Sequence, residues 1–193
     1  PEGLNSQCCG MIFNSRGLKD QSLAKGYDLE QALLKASEGG KYPIIVDTSP
    51  CLAQIKEQLE SPELRFALYE PSEFIANHLV DKLEWKKVKK HIAVHVPCSS
   101  KKMGVEQTFM KLASKCADEV SGSGIPCCGM AGDRGMRYPE ITDSALGYMN
   151  LPKGCTDGYS TSRTCEVNLS NHADGVPFRG MVYLVDEATS PKK

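Results

Sequence analysis

Along the chain, short apolar runs alternate with stripes of apolar residues at helical spacing. Ile44, Ile45 and Val46 lie between Gly39-Gly40 and the Ser49-Pro50 turn, and predict a short strand over residues 41–47. Apolar residues at 52, 55 and 59 follow at helical spacing. Residues 64–69 predict a strand. Residues 71–83 predict a helix that carries Phe74, Ile75, Leu79 and Leu83 on one face, with Pro71 near its start. A strand over 91–96 ends at Pro97-Cys98, and a helix over 105–120 carries Phe109, Leu112, Ala113 and Cys116 on one stripe. A turn through 122–126 delivers Cys127, a helix is expected over 138–149, and a late strand over 180–185. Strands alternating with helices imply parallel sheets, whose C-terminal strand ends carry ligand-bearing loops. Cys51 and Cys98 sit just past such ends.

The chain also repeats itself. Cys8-Cys9-Gly10-Met11, followed by Arg16-Gly17, recurs 119 residues later as Cys127-Cys128-Gly129-Met130, followed by Arg134-Gly135. Asp47-Thr48-Ser49-Pro50-Cys51 has a counterpart ending at Cys165, offset by 114. Residues 64–70 match residues 181–186 at an offset of 116. The expected fold is therefore α/β, with two pseudo-symmetric repeats, each a short parallel sheet flanked by helices. The first repeat spans 1–85 and lacks its beginning; the second spans 86–193. The run Lys86-Lys87-Val88-Lys89-Lys90 beside Trp85 reads as a solvated linker between them.

Composition narrows the function. Lys and Arg number 23 against 24 Asp and Glu, a net charge of −1, which argues against a general binder of nucleic acid or other polyanions. No apolar run reaches the 18 or so residues that would span a bilayer, and no signal segment is visible. A cytoplasmic location is expected, with peripheral association at the inner face of the membrane left open. Beginning at Pro1, the chain reads as a processed protein or a piece of a longer one.

Nine cysteines are many for a chain that can bury a core without staples, so metal or redox chemistry is the first reading. In the second copy, 28 residues separate Cys98 from Cys127-Cys128, and 36 more separate the pair from Cys165. Soft thiolates favour iron–sulfur, zinc or copper(I) over hard cations. Adjacent cysteines chelate one ion only with strain, but can serve two irons of a cluster. Gly129 lets the backbone approach such a group and donate amide hydrogen bonds to it. Cys116, on an apolar helical stripe, reads instead as a small buried hydrophobe. Cys155 stays open between buried thiol and accessory ligand.

These motifs resemble the cysteine-rich CCG domain family, found among the electron-transfer components of heterodisulfide reductases. More narrowly, VDTSPC (46–51), VPCSSKKMG (96–104) and PCCGMAGDRG (126–135) resemble the C-terminal region of FAD-linked, iron–sulfur-containing D-lactate dehydrogenases. The resemblance implies an electron-transfer domain. It takes electrons from an upstream flavin domain that oxidises D-lactate or another 2-hydroxy acid, and passes them towards quinone or another acceptor. Cys98, Cys127, Cys128 and Cys165 would hold the cluster, with Cys8, Cys9 and Cys51 a partial second set. The flavin carries the oxidation itself, so this chain alone is expected to be inactive. Thr48 and Ser162 stand where the family often has a further cysteine, which leaves at most four cysteines per site. The alternatives from other classes are a zinc-stabilised interaction domain and a thiol–disulfide exchange module.

Arg16 and Arg134 recur after each Cys-Cys-Gly and are expected near the thiolates, as is His95, placed just before the Pro97-Cys98 turn. The Gly129, Gly132, Gly135 trio follows no strand directly and makes a poor dinucleotide fingerprint. His78 and His172 read as surface or capping residues.

Overall fold

The computed structural model describes residues 3–192. The chain divides into two compact units between Glu70 and Pro71, and each is described by itself. Both are α/β, with short parallel sheets flanked by helices.

The first unit runs α1 (Met11–Ser15), α2 (Lys19–Ala36), β1 (Ile44–Ile45), α3 (Ser49–Gln58), α4 (Pro62–Ala67) and β2 (Leu68–Tyr69). The two strands pair in parallel, Ile44 with Leu68 and Ile45 with Tyr69. Leu33, Leu52, Ile55, Leu59, Leu64 and Leu68 form its buried interior. Helix α2 is built from good helix formers, with Asp20 in its first turn and Lys35 in its last, both favourable to the helix dipole. Its apolar periodicity is weak, because Leu23 and Tyr27 face solvent. That is why pattern alone did not reveal it. Residues 64–69 are mostly helical rather than a strand: Pro62 sits in the first turn of α4, and only Leu68 and Tyr69 extend.

The second unit opens with α5 (Pro71–Phe74), a π-helical turn over Ile75–Leu79 and a 3-10 turn over Val80–Lys82. It continues with β3 (Leu83–Trp85), β4 (Lys89–Val94), α6 (Cys98–Lys102), α7 (Glu106–Cys116), β5 (Ala117–Gly122), α8 (Arg134–Arg137) and α9 (Pro139–Leu146). It ends with β6 (Asp157–Ser160), α10 (Arg163–His172), β7 (Phe178–Gly180), α11 (Met181–Ala188) and β8 (Thr189–Pro191). Four strands form a parallel sheet in the order β5-β4-β6-β7. Strand β3 pairs antiparallel with β8.

Several expectations are corrected here. Residues 71–83 form a distorted helical segment, and its end, Leu83, already belongs to β3. The helix expected over 105–120 stops at Cys116 and gives way to β5, an edge strand whose Asp118 and Glu119 face solvent and hide any apolar alternation. The late strand over 180–185 is helix α11, preceded by β7. Lys89 and Lys90 open the central strand and are no linker. Lys89 is only about one-fifth exposed and pairs with Glu187 at 3.2 Å and Asp157 at 3.8 Å. Residues 71–85 fall in the second unit, so the division comes earlier than the expected 85/86. Ile75, Leu79 and Trp85 pack into that unit's core, and β3 is held by β8.

Two helical layers cover the four-stranded sheet. Ile92 and Val94 of β4 point into a layer with Phe109, Leu112 and Cys116 of α7 and Leu184 and Ala188 of α11. Ala93, between them, points the other way, into a layer with Leu146 of α9 and Leu169 of α10. In chain order the sheet reads second, first, third, fourth. Connections leaving β4 and β6 therefore diverge, and the cleft between their C-terminal ends is where parallel sheets place ligands.

Candidate metal centre

Four cysteines of the second unit reach that cleft from three places. Cys98 opens α6 immediately after Pro97. Cys127 and Cys128 lie in the turn after β5, and Cys165 is the third residue of α10, following the cap residue Ser162. His95 extends the alternation of β4 by one step: its N–H donates to Tyr159 O at 2.9 Å, and its ring falls on the face of Ala93. It is 1% exposed.

The thiols form a chain of contacts, Cys98 to Cys127 to Cys128 to Cys165. The last pair of sulfurs lies 2.8 Å apart, well beyond the ~2.05 Å of a covalent bond. All nine cysteines are free thiols. The donor atoms of His95, Cys128 and Cys165 all lie within 4.8 Å of one another, and all three residues are buried. A tetrahedral ion with sulfur at ~2.3 Å spreads its ligands to about 3.8 Å, so loading would part Cys128 and Cys165 by about 1 Å.

Proton sharing follows the same chain. Hydrogen bonds from the Cys128 and Cys98 thiols hold Cys127 far below the ordinary thiol range, aided by the Gly129 N–H and by His95. Cys165 is lowered to about 5, chiefly by the Cys128 thiol, against the cost of burial, and His95 again favours the thiolate. Cys98 and Cys128 move far up, first through the hydrogen bond each makes with the Cys127 sulfur, then for Cys128 through its hydrogen bond with Cys165, and for both because burial penalises their charge.

The turn geometry explains the Cys-Cys-Gly motif. Gly129 has φ +77° and donates its N–H to Cys127 Sγ at 3.4 Å. A Cβ on it would lie 2.9 Å from Ala145 Cβ and Thr142 Cα of α9. The first unit repeats this detail: Gly10 has φ +79°, donates to Cys8 Sγ at 3.4 Å, and packs against Ser22 of α2. Cys51 is the third residue of α3, as Cys165 is of α10. A hydrogen bond from the Cys51 thiol lowers Cys9 to about 6, and Cys9 in turn raises Cys51. The two Cys-Cys-Gly turns and the two third-position cysteines thus share their local geometry. The third sequence match is out of register, because α4 precedes β2 whereas α11 follows β7.

Arg16 and Arg134 are both exposed; the strongest influences on the thiols are other cysteines, with backbone N–H groups and His95 adding to them. Cys116 is fully buried, donates to Leu112 O at 3.3 Å, and is pushed up to about 11 by burial, as a core thiol should be. Cys155 is half-buried against the α9–α10 layer. Two residues escaped sequence reasoning. Asn168 donates to Cys128 O at 2.6 Å and stands at the same 114-residue offset from Gln54 as Cys165 from Cys51. Ser123 Oγ lies 2.9 Å from His95 Nδ1 and is likewise buried.

What these features define is an α/β protein with a buried, sulfur-rich site at the C-terminal strand ends of a parallel sheet, able to hold a metal ion. No family model matches the chain, and no curated protein matches its sequence. No helix among the described residues is long and apolar enough to cross a membrane.

Proposed function

We propose that this chain is an electron-transfer module of the CCG type. On this reading it holds an iron–sulfur centre on Cys98, Cys127, Cys128 and Cys165, and acts with a flavin domain that oxidises D-lactate or a related 2-hydroxy acid. The convergence of four cysteines from separate loops on one cleft carries the reading, because core packing gives no reason to gather thiols there. An iron–sulfur centre, when bound, supplies one-electron transfer between flavin and a quinone or other acceptor. The chain's own contributions are binding and tuning. Its thiolates grip the metal, the Gly129 N–H draws electron density from Cys127 Sγ, and Asn168 pins the turn through the Cys128 carbonyl.

Anaerobic incubation of the reduced chain with ferrous iron and sulfide tests the proposal. Matched iron and sulfide, with an electron spin resonance signal that appears on reduction, support it. Tight stoichiometric zinc without a reducible iron species would favour the second reading, a zinc-stabilised interaction domain. The mutual approach of His95, Cys128 and Cys165 is the observation that keeps that reading in view.

A further inference from the structure

We infer that His95 Nε2 is itself a metal donor at this site, and that Ser123 fixes the imidazole for that role. The inference rests on the cysteines holding a metal, but not on whether that metal is iron or zinc. His95 Nε2 is buried and meets no partner at regular hydrogen-bond geometry, and the ring's other polar contact is with the Cys165 thiol, which it helps to hold as thiolate. Nδ1, by contrast, is taken by Ser123 Oγ at 2.9 Å, and that hydroxyl is buried with it. When Nδ1–H donates to the serine, Nε2 keeps the lone pair, and the ring offers a nitrogen within 4.8 Å of both the Cys128 and Cys165 sulfurs. Metal-binding histidines show this division of labour, one nitrogen on the ion and the other held by a neighbouring acceptor.

His91 provides an internal contrast. It lies on the same face of β4, four residues earlier, and also meets a serine, Ser121, at 2.9 Å. There the serine is met by Nε2, and the ring lies 3.5 Å from Glu119. At His95 the serine instead occupies Nδ1, which leaves Nε2 as the nitrogen open to a metal. All four histidines of the chain lie beyond Glu70, so the cysteines of the first unit have no such nitrogen within their own unit. The two sites would then differ in kind. A neutral nitrogen adds a donor without adding negative charge, and relative to a further thiolate it favours the reduced state of a redox metal.

The test is cobalt(II) titration of the full, reduced, metal-free chain under nitrogen, in a Cys9→Ser, Cys51→Ser background that silences the first unit. Near-ultraviolet thiolate-to-cobalt bands and visible ligand-field bands should appear. His95→Ala should keep the thiolate bands, move the ligand-field bands and weaken binding by roughly tenfold or more. Ser123→Ala should weaken binding by about tenfold with smaller spectral change, and His91→Ala should alter neither. Because His95 is buried, the unmutated ring is also followed: 15N-histidine NMR of the zinc-loaded chain should show Nε2 strongly shifted and Nδ1 still protonated. Thiolate bands together with an unshifted Nε2, or with Nε2 still protonated and donating to Cys165, overturn the role of His95 alone. Absence of thiolate bands in the unmutated-His95 protein overturns this inference and the proposed function together.

Discussion

Gly129→Ala tests whether the Cys-Cys-Gly turn is fixed by its packing as well as by its backbone. At φ +77° an L side chain costs about 1–2 kcal/mol. The added methyl would also meet Ala145 Cβ and Thr142 Cα at 2.9 Å and Ile141 O at 3.1 Å. Two of these are backbone atoms of α9, so relief requires the helix to move, an overpacking cost of about 1–3 kcal/mol. Gly104 supplies the control: it has the same φ of +77°, and a methyl added there would have nothing within 4 Å of it. Gly104→Ala should therefore lose only the backbone part, and Gly129→Ala about 1–3 kcal/mol more. Trp85 is the chain's single tryptophan and packs into the core of the second unit, so its fluorescence reports the unfolding of the unit that holds both glycines. With a urea slope of ~1–2 kcal/mol per molar, the two midpoints should differ by about 1 M. Equal midpoints would show that α9 does not brace the turn, and the account of why glycine follows the cysteine pair would fall.

Other consequences can be measured as directly. Cys128→Ser and Cys165→Ser should each abolish tight metal binding by the second unit, whereas Cys116→Ser should leave metal stoichiometry unchanged. Equal losses across the three would mean the contact chain is not the site. Cys98 and Cys128 carry protons that a metal must displace, so affinity should rise as pH rises, by about tenfold per unit for each proton released; below about pH 5 Cys165 also takes up a proton and the dependence steepens. A zinc or cobalt affinity that is flat between about pH 6 and 8 contradicts this. Phe109→Ala, at a fully buried position between the sheet and α7, should cost the second unit about 3–5 kcal/mol in the same urea experiment, while Val167→Ala at an exposed position should stay within about 0.5 kcal/mol.

The sequence made the α/β class readable through β4 and α7, whose apolar residues obey periods of two and 3.6. It concealed β5 and β6, because an edge strand and a strand shortened to Asp157–Ser160 bury too few side chains to leave a pattern. It also misplaced α4 and α11, where a short, largely apolar run fits a strand as well as a buried helix. The cysteines were legible because the Cys-Cys-Gly doublet recurs. Ser123 and Asn168 were not, since a lone serine or asparagine carries no chemistry until the fold aims it at His95 Nδ1 or the Cys128 carbonyl. His95 lies between, visible as a candidate and given its place only by strand alternation.

Cys51 follows its helix cap Thr48 by three residues, and Cys165 follows Ser162 by the same three, while the segments leading up to them differ in length: 41 residues separate Cys9 from Cys51, and 36 separate Cys128 from Cys165. One extra residue between cap and cysteine would swing the sulfur about 100° around the helix axis and out of the cleft. The connecting segment, with its helices and strand, already differs by five residues between the copies. Length can thus drift freely upstream of the cap but not across it, a rule by which other chains with this doublet can be sorted into those that keep the second arm of the site and those that have lost it.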